Sequence, residues 1–196
     1  MKKGERHMQE RAMEWSSDEV DRVIQHWQDN QKKTVHVMMD KYGQPDEVTQ
    51  NRVIWHNRSP WKRIVAHQET TRHLFPKPHP DYLEQTIDYR VPPDMADELA
   101  NFDGSVLFDR TRGEMSARCD AEAANFLAIN LANDIIQGNR SVEQARDEYA
   151  KSIMAKMKGE KPEIITKFLF QMPMGDTADP DETTIPESEM KGMEAA

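Results

Sequence analysis

The stretch RVIWHNRSPWKRIVAHQE, residues 52–69, determines the class of fold. Residues 52–57 and 61–69 are rich in β-branched and aromatic side chains, and residues 57–60 between them have the composition of a tight turn. We therefore predict a β-hairpin in which His56 pairs with Trp61. Antiparallel pairing of neighbouring segments is thus the expected way of building the sheet.

The segments around this hairpin extend the same pattern. Residues 83–91 alternate between apolar and polar side chains, which predicts a strand with one face in water. Residues 105–119 predict a second hairpin with its turn at 111–113, and a final strand is predicted around Ile164, Phe168, Phe170 and Met172. Helices are predicted from residue 16, from about 34, over 94–101, over about 120–137 and from 141 to about 158. The strands occur as hairpins without βαβ alternation, so we predict an α+β fold, an antiparallel sheet with helices packed on one face.

The distribution of charge suggests three regions. The chain has 196 residues and a formal net charge of −9, and residues 175–196 contain seven acidic side chains and one lysine. We expect residues 1–15 to be a polar N-terminal extension and residues 16–173 a single α+β domain with possible sub-units at 16–91 and 92–173. Residues 174–196 lack the apolar side chains needed to offset the entropy of ordering, and we expect a disordered acidic tail.

The composition also excludes several classes of protein. No apolar run approaches the roughly 18 residues of a membrane span, and Cys119 is the only cysteine, which rules out a disulfide scaffold. No secretory signal is evident, so we expect a cytoplasmic protein, the alternative being an exported chain whose signal has been removed. The negative charge argues against binding to duplex nucleic acid. Motifs for phosphate-binding loops and nucleophilic serines are absent, and Cys119, on the apolar side of its predicted strand, is expected to be inert packing.

Residues 50–80 carry the opposite charge, with six lysines and arginines against one glutamate. Our first hypothesis is a non-enzymatic binding module that recognises a partner protein or a small anionic ligand and needs no cofactor. Its predicted binding residues are His56, Trp61 and Arg63 on one face of the hairpin, with Arg110 and Arg112 at the second turn. The alternative is that the hairpin is covered on both faces, and that the arginines at residues 110 and 112 pair with acids of their own turn.

A second hypothesis concerns the proline-rich stretch between residues 73 and 81. His73, His79 and Asp81 are the ligand types of a catalytic site for zinc or another divalent metal, so the rival function is a metal-dependent hydrolase centred on this loop. The alternative is a rigid linker with surface histidines. A site that also uses His56 and His67 is excluded, because the predicted hairpin separates these two side chains by about 20 Å.

One resemblance to a known family concerns the first part of the chain. Two predicted helices, the sequence Tyr42-Gly43-Gln44-Pro45 and a hairpin that contains a tryptophan together resemble the small BamE-type envelope domains. The resemblance covers less than half of the chain, and no family is assigned from it.

Overall fold

A six-stranded antiparallel sheet forms the centre of the protein in the computed structural model, which describes residues 15–186. The strands are β1 (Glu47–Val48), β2 (Arg52–Arg58), β3 (Trp61–His73), β4 (His79–Asp88), β5 (Val106–Asp109) and β6 (Glu114–Cys119). They lie in the order β1-β2-β3-β4-β6-β5, and every neighbouring pair is antiparallel. The predicted antiparallel sheet is confirmed, with β1 as an additional short edge strand.

Five α-helices accompany the sheet within the described residues. They are α1 (Ser17–Ile24), α2 (Asp29–Tyr42), α3 (Ala96–Phe102), α4 (Glu122–Ile136) and α5 (Val142–Met157). Helices α1 and α5 both begin with a capping box, in which the side chain and backbone of a serine exchange hydrogen bonds with a residue three positions later. Helix α2 contacts β2 and β3, α4 contacts β4 and β6, and α3 and α5 pack beside α4. The predicted α+β class is therefore confirmed.

The hydrophobic core lies between the sheet and the helices. The strands contribute side chains that are fully removed from water, among them Trp55, Ile64, Leu83 and Met115. Helix α4 is buried on nearly all sides because its sequence is apolar almost all the way round, as predicted. This packing fixes the position of α4 over β4 and β6, next to the site described below.

The register of the first hairpin differs from the prediction by two residues. His56 pairs with Arg63, and Arg58 pairs with Trp61, because the turn consists of Ser59 and Pro60 alone. Strand β3 also continues to residue 73, four residues beyond the predicted end. These four residues extend the pairing of β3 with β4 to the point where the histidines lie.

The predicted last strand is wrong. Residues 163–165 form a short 3-10 helix, and residues 166–186 contain no helix or strand. The side-chain amide of Asn130 bonds to backbone groups that would have been paired in a strand. It donates to the carbonyls of Ile164 and Lys167 at 3.0 and 2.8 Å. It accepts a 2.8 Å hydrogen bond from the backbone N–H of Leu169. A side chain from α4 thus takes the place of a sheet partner.

Part of the predicted tail contacts the second hairpin. Thr177 is buried, and its hydroxyl donates a 2.7 Å hydrogen bond to the carbonyl of Gly113. Residues 174–186 are described by the structure, whereas residues 187–196 and residues 1–14 of the predicted N-terminal extension lie outside the described residues. Disorder of the acidic tail stays a prediction.

Candidate metal centre

The residues predicted as metal ligands meet at the end of the β3–β4 hairpin. His73 is the last residue of β3 and His79 is the first of β4, and the two are direct cross-strand partners. Their ring centroids are 4.9 Å apart. Asp81 lies two residues further along β4, so its side chain points to the same face as that of His79. The proline-rich stretch at residues 74–78 is therefore the connection of a hairpin that brings the three side chains together.

The three side chains are close enough to share one cation. Each offers a ligand atom within 4.8 Å of the other two. The separations from His73 Nδ1 to Asp81 Oδ2 and from His79 Nε2 to Asp81 Oδ1 are 3.2 and 3.1 Å. Two ligands of a tetrahedral zinc ion are roughly 3.4 Å apart, because each bond is about 2.1 Å long. The two separations are close to this spacing, each to a different oxygen of Asp81.

The ring nitrogens that face away from Asp81 have partners of their own. His79 Nδ1 lies 2.7 Å from the carbonyl oxygen of Lys77, to which it can only donate. His73 Nε2 lies 3.5 Å from Oδ1 of Asp103. Outer partners of this kind hold a metal-ligating histidine in the tautomer whose other nitrogen carries the lone pair. The nitrogens that face Asp81 are the ones that would ligate an ion, and the ion would replace the proton that His79 Nε2 shares with Asp81.

Asp81 is buried and incompletely satisfied. Its side chain is 1% exposed, and its Oδ2 accepts a hydrogen bond from the hydroxyl of Ser105. Its Oδ1 makes no well-aligned hydrogen bond within residues 15–186. Interaction with this carboxylate raises the pKa of His79 to about 11. Burying an unpaired carboxylate costs free energy of folding, so Asp81 requires a cation beside it, either an imidazolium or a metal ion.

Asp103 is a second carboxylate at the same centre. Its side chain is buried, and burial raises its pKa in spite of the hydrogen bond from the amide of Ser105. The centre therefore contains two histidines, His73 and His79, enclosed by two buried carboxylates. Ionised carboxylates at this centre need positive charge beside them, from a protonated histidine or from a metal ion.

A cavity of about 210 Å³ opens beside His79. Cys119 lies in its wall, with Sγ 3.2 Å from Nε2 of His79, and burial raises the pKa of the Cys119 thiol. The apolar part of the wall includes Tyr149 and Ile153 from α5. The cavity gives a small molecule access to one side of the candidate metal centre.

The residues predicted for the basic binding surface do not share one site. Trp61 is 1% exposed and packs against Phe126 and Phe168, with ring centroids 4.8 and 5.1 Å away. Its indole donates a 2.8 Å hydrogen bond to Glu122. Trp61 is thus a core residue on the side of the helices, and its indole is closed to a ligand.

The charged members of the hairpin surface are already paired with acids. His56 Nε2 lies 2.6 Å from Glu47 Oε1, and Arg63 Nη2 lies 2.7 Å from Glu114 Oε2. Burial opposes ionisation of Glu114, but its ion pairs outweigh burial and lower its pKa. Three of the six cations in residues 50–80, Arg58, Lys62 and Arg63, form ion pairs with acids of the described residues.

The arginines of the second hairpin turn lie on a different part of the molecule. Arg112 contacts Asp109 of the same turn, with 3.6 Å between Nε and Oδ2, as the alternative prediction had it. Arg110 instead pairs with Asp179 and Asp181, which the sequence assigned to a disordered tail. Binding through these residues stays a prediction.

Three residues at the candidate metal centre were not predicted from the sequence. Asp103 was interpreted only as part of a turn, Ser105 as the start of a strand, and Cys119 as inert packing. Cys119 reaches the centre because β6 pairs with β4, where its partner is Leu83. Asp103 and Ser105 reach it because the chain before β5 returns to the same end of the sheet. The sequence carries no signal for these long-range contacts.

Comparisons with protein-family models, with curated proteins and with solved structures yield no match for this chain. Among the helices of residues 15–186, none has both the length and the hydropathy of a membrane crossing. The geometry of the candidate metal centre is therefore the main guide to the function of this protein.

Proposed function

We propose that this protein is a metal-dependent hydrolase, with a divalent ion such as zinc bound by His73, His79 and Asp81. One observation carries the proposal. Both histidines direct a ring nitrogen at Asp81, at 3.2 and 3.1 Å, while the opposite nitrogens contact Asp103 and the carbonyl of Lys77. This combination of ligands and outer partners is typical of metal sites built from histidine and carboxylate.

Three protein ligands leave room for a fourth, which in catalytic zinc sites is water. A zinc ion held by these residues would lower the pKa of that water to about 7 and would so supply a nucleophile for hydrolysis. The 210 Å³ cavity beside His79 is where we place the substrate. Its wall is apolar at Tyr149 and Ile153 and contains the thiol of Cys119.

The lining of this cavity also favours a class of substrate. Lys77 and Lys156 both line it, whereas Asp120 is the one acid that does so among the described residues. Two ammonium groups attract a negatively charged ligand. We therefore expect a small substrate with an anionic group, such as a phosphate ester. An anionic ligand was also expected from the sequence, but at the first hairpin and not in this cavity.

The binding-module hypothesis is less favoured by the geometry. It requires free positive charge and an accessible indole, whereas Arg63 and His56 face Glu114 and Glu47, and Trp61 is buried. Paired charges must lose their partners before they can bind a ligand, which makes recognition there weak.

The first test is the metal content of the full chain, purified without a chelator or an affinity tag and equilibrated with zinc. Elemental analysis should give about one equivalent of zinc, and the His79→Ala variant should retain none. The matched control is His26→Ala, which replaces an exposed histidine outside the centre. A folded protein without zinc, or a His79→Ala variant that retains it, contradicts the metal site.

The second test concerns the reaction. We expect the zinc-loaded protein to accelerate the hydrolysis of p-nitrophenyl phosphate over its uncatalysed rate by a larger factor than that of uncharged p-nitrophenyl acetate, and a chelator should abolish this activity until zinc is restored. Stoichiometric zinc without hydrolysis of either ester would contradict the hydrolase while leaving the metal site in place. Activity that survives chelation would contradict the role of the metal in the reaction.

A further inference from the structure

A second and larger cavity lies at the C-terminal end of α4. Its volume is about 560 Å³, within the range of about 300–1,000 Å³ that small-molecule sites occupy. Its walls come from the end of β4 and the residues after it, from the last turns of α4, and from the irregular segment around residues 164–173. It shares no lining residue with the cavity beside His79, so its function is independent of the proposed hydrolase.

The walls of this cavity are held in place by buried hydrogen bonds. The three bonds of Asn130 fix the irregular segment against α4. The hydroxyl of Tyr89 donates a 2.8 Å bond to Oδ1 of Asn133, and the ring of Tyr89 meets that of Phe170 edge to face at 5.8 Å. The cavity therefore exists before a ligand arrives, which reduces the entropy cost of binding.

The charged side chains of the cavity are already neutralised. Arg90 pairs with Asp179 at 3.3 Å, and Asp134 pairs with Arg140 at 2.8 Å. A charged ligand would have to compete with these ion pairs. The cavity thus offers no net charge to an ion, which favours an uncharged ligand.

The other polar side chains in the wall are amides. They are Asn130, Asn133, Gln137, Asn139 and Gln171. Asn130 already uses its amide to hold the irregular segment, so Asn133, Gln137, Asn139 and Gln171 are the amides open to a ligand. An amide presents both a donor and an acceptor, and a hydroxyl group is likewise both. Within residues 15–186, the Nδ2 group of Asn133 donates to no protein acceptor, since Tyr89 occupies only its Oδ1. The amides therefore match a ligand with several hydroxyl groups.

We propose that this cavity is a binding site for an uncharged saccharide of one or two units. The amides bind its hydroxyl groups, and the apolar side chains of Phe170 and Leu169 contact its C–H face. This assignment accounts for the size, the neutrality and the amide-rich wall of the cavity together.

The test is saturation-transfer NMR on the full chain with glucose, galactose, maltose and N,N′-diacetylchitobiose as probes, and with uridine and glucose 6-phosphate for comparison. The test variant is Asn139→Ala/Gln171→Ala, which replaces two exposed amides of the wall, and the matched control is Gln25→Ala/Asn30→Ala, two exposed amides elsewhere. We expect at least one neutral sugar to bind, with a Kd about tenfold higher in the test variant and unchanged in the control. The proposal is overturned if no sugar binds, if the test variant binds as well as the wild type, or if only uridine or glucose 6-phosphate binds.

Discussion

The Nε2 atom of His73 lies 3.5 Å from Oδ1 of Asp103, a carboxylate that is adjacent to the ligand set without belonging to it. This contact links the chain before β5 to the end of β3. The carboxylate attracts the Nε2 side of the imidazole ring, which favours the orientation in which Nδ1 faces Asp81.

Asp103→Asn should weaken zinc binding without abolishing it. Asparagine keeps the acceptor for the amide of Ser105, but it removes the negative charge beside His73. Loss of such an outer partner typically lowers metal affinity by about 10–100-fold. Competition with a chromophoric chelator measures this change, with Asp97→Asn on the exposed side of α3 as the control. Equal affinities for the three proteins would show that Asp103 has no positioning role.

Trp61→Ala should destabilise the fold. The indole is buried between Phe126 and Phe168, and the substitution leaves a cavity and removes the donor to Glu122. Such changes cost about 3–5 kcal/mol in the free energy of unfolding. Urea denaturation followed by fluorescence or circular dichroism tests this, and Leu74→Ala, at a side chain that is 58% exposed, should stay within about 0.5 kcal/mol of the wild type. A Trp61→Ala variant of unchanged stability would instead favour the binding surface expected from the sequence.

Glu114→Gln should lower stability in a manner that depends on pH. Burial alone would raise the pKa of Glu114, but its bonds with Arg63 and Lys62 reverse the shift, so the folded pKa lies below the ordinary value of 4.5. The ionised pair therefore stabilises the fold above pH 4.5, and this contribution is lost as the pH falls through the folded pKa. We expect a difference of about 1–2 kcal/mol at pH 7 that shrinks in acid.

Urea titrations at several pH values between 7 and 3 measure this dependence. The matched control is Glu98→Gln, which replaces an exposed glutamate on α3. If the difference between Glu114→Gln and the wild type grows as the pH falls, the ion pair does not act as described.

Gly113→Ala should release the segment around Thr177. At Gly113 φ is +64°, and an added Cβ would lie 2.2 Å from the backbone carbonyl of Thr177, so the substitution is both strained and blocked. We expect a loss of more than about 1 kcal/mol and faster proteolysis of residues 174–186. Gly104→Ala is the control, because a Cβ there meets no atom within 4 Å. Equal proteolysis of the two variants would contradict the docking of this segment on the second hairpin.

The sequence was most informative where a structure depends on neighbours along the chain. The capping boxes, the periodicity of α1 and α2 and the turn signals of the hairpins are local, and they led to the right fold class. It was least informative about register and length. A turn of two residues shifted the pairing of His56 from Trp61 to Arg63, and β3 continued past its predicted end.

The candidate site shows the same division. The sequence alone named His73, His79 and Asp81, because histidine and carboxylate within nine residues are recognisable ligand types. The three side chains face one another because the strand ends that carry the histidines are paired in the tertiary structure. The fold also brings Asp103 and Cys119 to the centre from distant parts of the chain. It also pairs Arg63 and Arg110 of the predicted basic surface with acids that are 51 and 69 residues away. The sequence shows which charges and ligand types the chain contains. Packing determines which of these groups lie within a few ångströms of one another.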